Sequence, residues 1–116
     1  MKLVTRKFTI KKREQARRFV ENRISYFNKF YNFKINRIAI KNTGTRWGSC
    51  SSMKNLNFNY KIIYLRSALA DYLIVHELCH LGELNHSKRF WTLVSKTTSD
   101  YIKFNKELRR TPVKLI

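Results

Sequence analysis

With 116 residues the chain has room for one hydrophobic core, so a single domain over residues 1–116 is expected. A hydrophobic content of 43% with three glycines and one proline excludes a disordered tail, and no apolar run reaches the roughly 18 residues that a membrane-spanning helix needs. The balance of 25 Lys and Arg against 7 Asp and Glu, a formal net charge of +18, excludes an acidic chain and attracts polyanions such as nucleic acid, nucleotides or anionic lipid.

The stretch Met1–Lys7 lacks the apolar centre of a secretory signal, and nothing pairs the two cysteines, Cys50 and Cys79. A monomeric, cytoplasmic chain with free thiols is expected. Residues 2–8 alternate weakly through Leu3, Val4 and Phe8, as a short strand or arm would. Thr9 suits the cap of a helix over 10–31, where Ala16, Val20, Ile24 and Phe27 recur at helical spacing. Lys11, Lys12, Arg13, Arg17 and Arg18 crowd its first half. Positive charge is disfavoured at a helix start, so the cluster either meets an anion or forms a solvated face; the solvated face is the favoured reading.

Residues 33–42 are β-branched and partly alternating and predict a strand. Asn42-Thr43-Gly44 is a turn signal. Thr45–Ser51 predicts a second strand in which Gly48 allows another backbone or a ligand to come close. After a turn at 52–55, Leu56–Tyr60 alternates cleanly and predicts a half-buried third strand. Ser67 is the expected cap of a helix reaching Leu81, apolar all round except at Asp71 and a polar motif. Asp71 reads as a carboxylate suited to a helix start. Gly82 is expected to end that helix in a left-handed conformation, and Asn85 or Ser87 to cap one last helix running from Phe90 to Leu108, ended by Thr111-Pro112. The order helix, strands, helix, helix predicts an α+β fold with segregated elements.

All three histidines lie in one eleven-residue window, as His76-Glu77-Leu78-Cys79-His80 followed by His86. Residues four apart on a helix share a face, so His76 and His80 can present imidazoles to one point. Glu77 lies about 100° round the helix, within reach of a water held at that point. This is the donor set of a catalytic zinc site. The bland alternative is a set of hydrogen-bonded core residues, but a core helix rarely carries three ionisable groups without a reason. His86 is the favoured third ligand; Glu83, Asp100 and Glu107 are its rivals, since zinc also accepts carboxylate. At such a site Glu77 takes the proton of the attacking water and passes it to the leaving amine. The oxyanion needs a further donor, for which Arg46, Tyr60 and Tyr64 are candidates by location, each more readily explained as structural. Cys79 points away from the histidine face and reads as core, and Cys50 has no free histidine to activate it.

Arg46–Ser51, Leu56-Asn57-Phe58, Asp71–His80, Asn85-His86-Ser87 and Phe90-Trp91 together resemble the YgjP-like metallopeptidase family, over about residues 45–94. The resemblance implies a minimal zincin fold, with a small sheet over the zinc-bearing helix and a second helix in support. It implies zinc held by His76, His80 and His86, with Glu77 as general base. It also implies kinship with the SprT-like proteases, some of which act on DNA-bound proteins.

The favoured function is therefore a zinc-dependent peptidase with a peptide or protein substrate bound along a sheet edge, supplied by Leu56–Tyr60 or by Arg46–Ser51. One competitor is a zinc hydrolase of a nucleotide or other phosphate-containing substrate, which the basic surface would favour. Another is a nucleic-acid-binding module with structural zinc, against which only three good ligands are visible where structural sites use four.

Overall fold

The helical spacing of Ala16, Val20, Ile24 and Phe27 folds as α1, Ile10–Asn28, and buries all four side chains. The structure, a computed structural model, describes residues 7–116, so Leu3 and Val4 of the expected lead-in strand lie outside the described residues. Residues 7–9 are not strand; Phe8 sets its ring edge-on to Tyr60, with centroids 4.9 Å apart. Thr9 caps α1 as expected, its Oγ1 accepting the Lys12 N–H at 3.1 Å. The helix stops at Asn28 rather than 31. The Asn28 amide accepts the Phe33 N–H and donates to the Phe33 carbonyl, at 2.9 and 3.0 Å, and Asn32 turns the chain at φ 59°. Asparagine tolerates that left-handed conformation and bonds its local backbone, which reverses the chain before a further helical turn forms.

Three strands follow: β1 (Arg37–Lys41), β2 (Gly48–Cys50) and β3 (Asn55–Asn59), in the order β1-β3-β2. β1 is parallel to β3 and β2 antiparallel to it. The strands are thus those expected, the first two trimmed at their ends and the third moved one residue earlier, since Asn55 belongs to it and Tyr60 does not. The register sets Ile38 beside Leu56 and Ile40 beside Phe58 on the inner face. Ile40, Leu56 and Phe58 are fully buried, each worth about 1.5–3 kcal/mol on leaving water. Arg37 and Lys41 fall on the opposite, exposed face. Between β2 and β3 the Lys54 N–H closes a turn onto the Ser51 carbonyl at 3.0 Å, with Lys54 at φ 64°.

A 3₁₀ turn (Tyr60–Tyr64) leads to α2, Ser67–Cys79, whose residues 72–75 are all buried. Two expectations fail at its start. The cap position belongs to Arg66 and carries no side-chain capping bond, because a guanidinium has no acceptor; it donates instead to the Glu107 carboxylate. Asp71 lies beyond the first turn and binds Arg23 of α1 in two parallel hydrogen bonds, 2.8 and 2.9 Å, tying the two helices together. Gly82 also departs from expectation, since its φ is not positive. What requires glycine there is space: a Cβ would meet the Phe33 ring at 2.9 Å and Leu93 Cδ1 at 3.0 Å.

The expected last helix is two helices, α3 (Lys88–Ser95) and α4 (Tyr101–Arg109). Ser87, not Asn85, caps α3 by accepting the Phe90 N–H at 3.3 Å. The break falls in Thr97-Thr98-Ser99-Asp100, residues that compete with the helix for backbone bonds. Tyr31 fixes it, its hydroxyl bonding the Leu93 carbonyl at 2.7 Å and Thr97 Oγ1 at 2.8 Å. The chain leaves α4 at Thr111, whose carbonyl accepts the Trp47 indole N–H at 2.7 Å.

Asn59, at the end of β3 and 1% exposed, joins these parts. Its amide nitrogen donates to the carbonyls of Thr43 (2.7 Å) and Arg46 (3.1 Å), and its oxygen accepts the Lys61 N–H at 3.1 Å. Asn59→Ala leaves those groups without partners and should cost about 2–3 kcal/mol. Urea unfolding should show a lower midpoint with an unchanged slope; a loss under about 0.5 kcal/mol would mean that the 43–46 loop is held by other contacts.

Candidate metal centre

α2 delivers His76 and His80 one turn apart, and the tight turn after it brings His86 back to them. The turn is built from the Gly82 and Glu83 N–H groups on the Cys79 carbonyl, at 3.0 and 3.1 Å. The His80 ring closes it by donating from Nδ1 to the Glu83 carbonyl at 2.9 Å, which leaves Nε2 as the free lone pair. His76 Nδ1 lies 3.3 Å from Glu77 Oε2, a donation that likewise frees its Nε2.

One ligand atom from each of His76, His80 and His86 lies within 4.8 Å of the others. His76 Nε2 and His86 Nε2 are 3.2 Å apart. Two nitrogens bound tetrahedrally at about 2.0–2.1 Å from one ion stand about 3.3 Å apart, so this spacing fits a shared cation. The donors also differ in access: His80 is buried, His76 intermediate and His86 exposed. The set therefore has a closed inner side and an open outer side.

α3 supplies the floor. Phe90, fully buried, stacks on His80 with centroids 4.3 Å apart and lies 5.1 and 5.0 Å from the rings of His76 and His86. Trp91 stacks on His86 at 5.8 Å and on Tyr101 of α4 at 5.1 Å. The apolar period of this segment marks Phe90 as core; only the fold shows which groups it supports.

Glu77 is 5% exposed and packs beneath β2. A Cβ on Gly48 would stand 3.0 Å from Glu77 Cγ, 3.2 Å from its Oε2 and 3.0 Å from the Asn57 carbonyl. The close approach expected at Gly48 is thus an approach to the carboxylate of the histidine motif. Burial, with the Glu77 charge, pushes the Cys50 thiol up to about 11, and burial pushes Cys79 up to about 12. Both stay protonated thiols at neutral pH.

The other candidate residues scatter. The Glu83 carboxylate accepts from Ser87 Oγ at 3.4 Å, Glu107 pairs with Arg66, and Asp100 sits exposed before α4. Among the described residues none of them joins the histidine cluster. Tyr60 is 1% exposed and faces Phe8 and Tyr64; Tyr64 carries the Lys12 ammonium 5.8 Å above its ring. Arg46 lines a hollow with Gly48 and Ser49. Two groups near the histidines escape sequence reasoning. The Tyr72 ring lies 5.8 Å from His76, its hydroxyl donates to Asn105 of α4 at 3.2 Å, and burial pushes its pKa up. The exposed Arg109 guanidinium acts electrostatically on both Tyr72 and His86. Tyr72 falls one turn before His76, which is the signal available in the sequence; Arg109 has none.

Burial lowers the pKa of His80, and burial followed by the neighbouring imidazoles lowers that of His86. In the unfolded chain both return to about 6.5 and take up protons first. The unfolded state thus binds more protons below that value, and stability of the metal-free chain should fall as pH drops from about 6.5 toward the lowered folded values. The midpoint of urea unfolding measured from pH 7.5 to 5 should decline in that window, and His80→Gln should flatten the decline.

The sequence matches the family model described as YgjP-like, metallopeptidase domain, over residues 3–111. No curated protein matches it. Among solved structures it is similar to the metallopeptidase zymogen abylysin of Pyrococcus abyssi, with a TM-score of 0.69 and 17% identity over 79% of this chain and 93% of that one. It is also similar to the metallopeptidase zymogen jannalysin of Methanocaldococcus jannaschii, with a TM-score of 0.62 and 24% identity over 87% of this chain and 97% of that one. At these identities the two structures speak for the α+β fold. The family match spans nearly the whole chain, and the residues converging on one point are those of its His-Glu-x-x-His stretch and of His86; the chain belongs to the YgjP-like metallopeptidases.

Proposed function

We propose that this metallopeptidase holds zinc through His76, His80 and His86 and cleaves peptide bonds with Glu77 as general base. The observation that carries this reading is the convergence of three imidazole donors within 4.8 Å beside a carboxylate only 5% exposed. Three neutral nitrogen ligands with an open side match catalytic rather than structural zinc. When bound, the ion supplies Lewis acidity that lowers the pKa of water to about 7. Glu77, held under β2, removes the proton from the attacking water and delivers it to the leaving amine. His80, fixed to the Glu83 carbonyl, and His76, turned toward Glu77, keep their Nε2 lone pairs aimed at the shared point. Arg109, exposed and acting electrostatically on His86, is a candidate cation for a carbonyl oxygen as charge develops there.

The sheet order supports β2 as the peptide-binding edge. β3 is central, which removes it from the two expected alternatives, and β2 lies outermost. The Trp47 carbonyl and the Ser51 N–H bond to β3, at 2.8 and 3.0 Å. By alternation Gly48 and Cys50 direct their backbone groups outward, where an extended peptide can add beside Glu77.

Glu77→Gln should keep about one zinc per chain by elemental analysis while kcat/KM on a fluorogenic peptide library falls roughly 10²–10⁴-fold. His86→Ala should lose both metal and turnover. Full turnover by the glutamine variant would refute the general-base role, and full metal content in the alanine variant would refute the third ligand.

Gly48→Ala isolates geometry from chemistry. It leaves every donor in place but drives a methyl group against the Glu77 carboxylate. Metal content should be unchanged and kcat lowered about 10²-fold, the scale of a 1 Å misplacement. Unchanged kcat would mean that the carboxylate has room to move without consequence.

A further inference from the structure

The positive charge is not spread evenly. No acidic residue occurs between Glu21 and Asp71, the segment that contains the entire sheet. Two hollows lie over the outer sheet face. One is lined by Arg13, Arg17 and Arg37, the other by Arg46, and the two share Lys41 and Asn57. They therefore adjoin at these two residues and together make a basic groove that runs from the first half of α1 along the strands to Gly48, which packs on Glu77. No carboxylate lines it. Between the cations stand hydroxyls and amides, with Ser49, Ser51 and Asn55 among them.

Arg17 is the committed member. Glu14 and Glu21 flank it at 4.0 and 3.8 Å, and it donates to the Ile38 carbonyl at 3.4 Å. Arg13, Arg37, Lys41 and Arg46 are all exposed. The groove offers charged and neutral donors but no accessible ring, since Phe58, the aromatic residue in its wall, is fully buried. Cations interleaved with hydroxyl and amide donors suit phosphate oxygens, while a platform for stacked bases is missing. A lipid surface fits less well. The large exposed apolar side chains, such as Ile10, Phe30, Met53 and Ile102, line neither hollow, so no wedge accompanies the charge.

We propose that the outer face of the sheet binds the sugar–phosphate backbone of nucleic acid without sequence preference, along a groove that ends at the candidate active site. The binding is independent of metal. Its strength follows the number of phosphates that Arg13, Arg37, Lys41 and Arg46 neutralise.

The test uses the full chain and fluorescein-labelled 30-mers, DNA and RNA, of two unrelated mixed sequences, with anisotropy read across a salt series. The variant R13Q/R37Q/K41Q is compared with K88Q/R89Q/K106Q, which removes the same charge from α3 and α4; every substituted side chain is exposed. The groove variant should bind at least about tenfold more weakly, and its slope of log K against log salt should be shallower by about 2–3, near 0.9 for each lost contact on a duplex. The control variant should lose less than about threefold. Equal losses in the two variants would overturn the proposal in favour of overall charge. So would tenfold discrimination between the two sequences. Wild-type affinity for poly-glutamate or for phosphatidylserine vesicles that matches or exceeds that for DNA would overturn it as well.

Discussion

Glu77 sits on an apolar helix, 5% exposed, between the core and β2. A buried carboxylate is costly unless something nearby favours its charge. Here the partner is local, the His76 ring at 3.3 Å, and Gly48 leaves the space in which the carboxylate lies against the strand. Much of the chain serves that contact. β2 must cross α2 at Glu77, so β3 must hold β2 from its other side, and β1 must complete the sheet that α1 covers. Asn59 and Trp47, bonded to each other at the start of β2, anchor that end of the approach, one to the 43–46 loop and the other to the carbonyl of Thr111.

The histidine motif was readable because it is local. Four-residue spacing on a helix fixes relative direction whatever surrounds it. The same holds for the alternation of Leu56 and Phe58 and for the Thr9 and Ser87 caps. What the sequence concealed depends on partners distant in the chain. The single long helix expected from Phe90 to Leu108 is split by Tyr31, which lies more than sixty positions earlier. Asp71, which looks like a helix-start carboxylate, is held by Arg23 on another helix. Gly82 resembles a left-handed cap but answers to Phe33 and Leu93. Arg109 approaches the histidines only once α4 has folded back on α2, where Asn105 also takes up the Tyr72 hydroxyl.

The aromatic floor shows why α3 follows so closely after His86. An exposed imidazole on a loop has many rotamers, and ordering it for a ligand costs entropy. Trp91 stacked on His86, and Phe90 touching all three rings, restrict those choices before any ion arrives. Trp91 stacks in turn on Tyr101, so α4 braces the exposed imidazole through two rings. Preorganisation of this kind lets a short chain hold three donors in place with little scaffold behind them.

The charge distribution follows from the same economy of acids. Of the seven carboxylates, Glu14 and Glu21 flank Arg17, Asp71 binds Arg23, Glu107 binds Arg66, Glu83 accepts from Ser87, and Glu77 lies in the centre itself. Most of these pairs join helix to helix or brace one helix face. The sheet needs none, because its inner face is held by apolar packing and its strands by backbone bonds. Its outer cations are consequently left without carboxylate partners in the groove wall. The field they produce extends about a Debye length, roughly 8 Å at physiological salt, beyond the surface. β2 forms the boundary between the two regions: its inward side meets the carboxylate, its outward side the cations. A polyanion on the outer face would thus lie alongside the histidine cluster, while the buried position of Glu77 keeps its charge away from the groove.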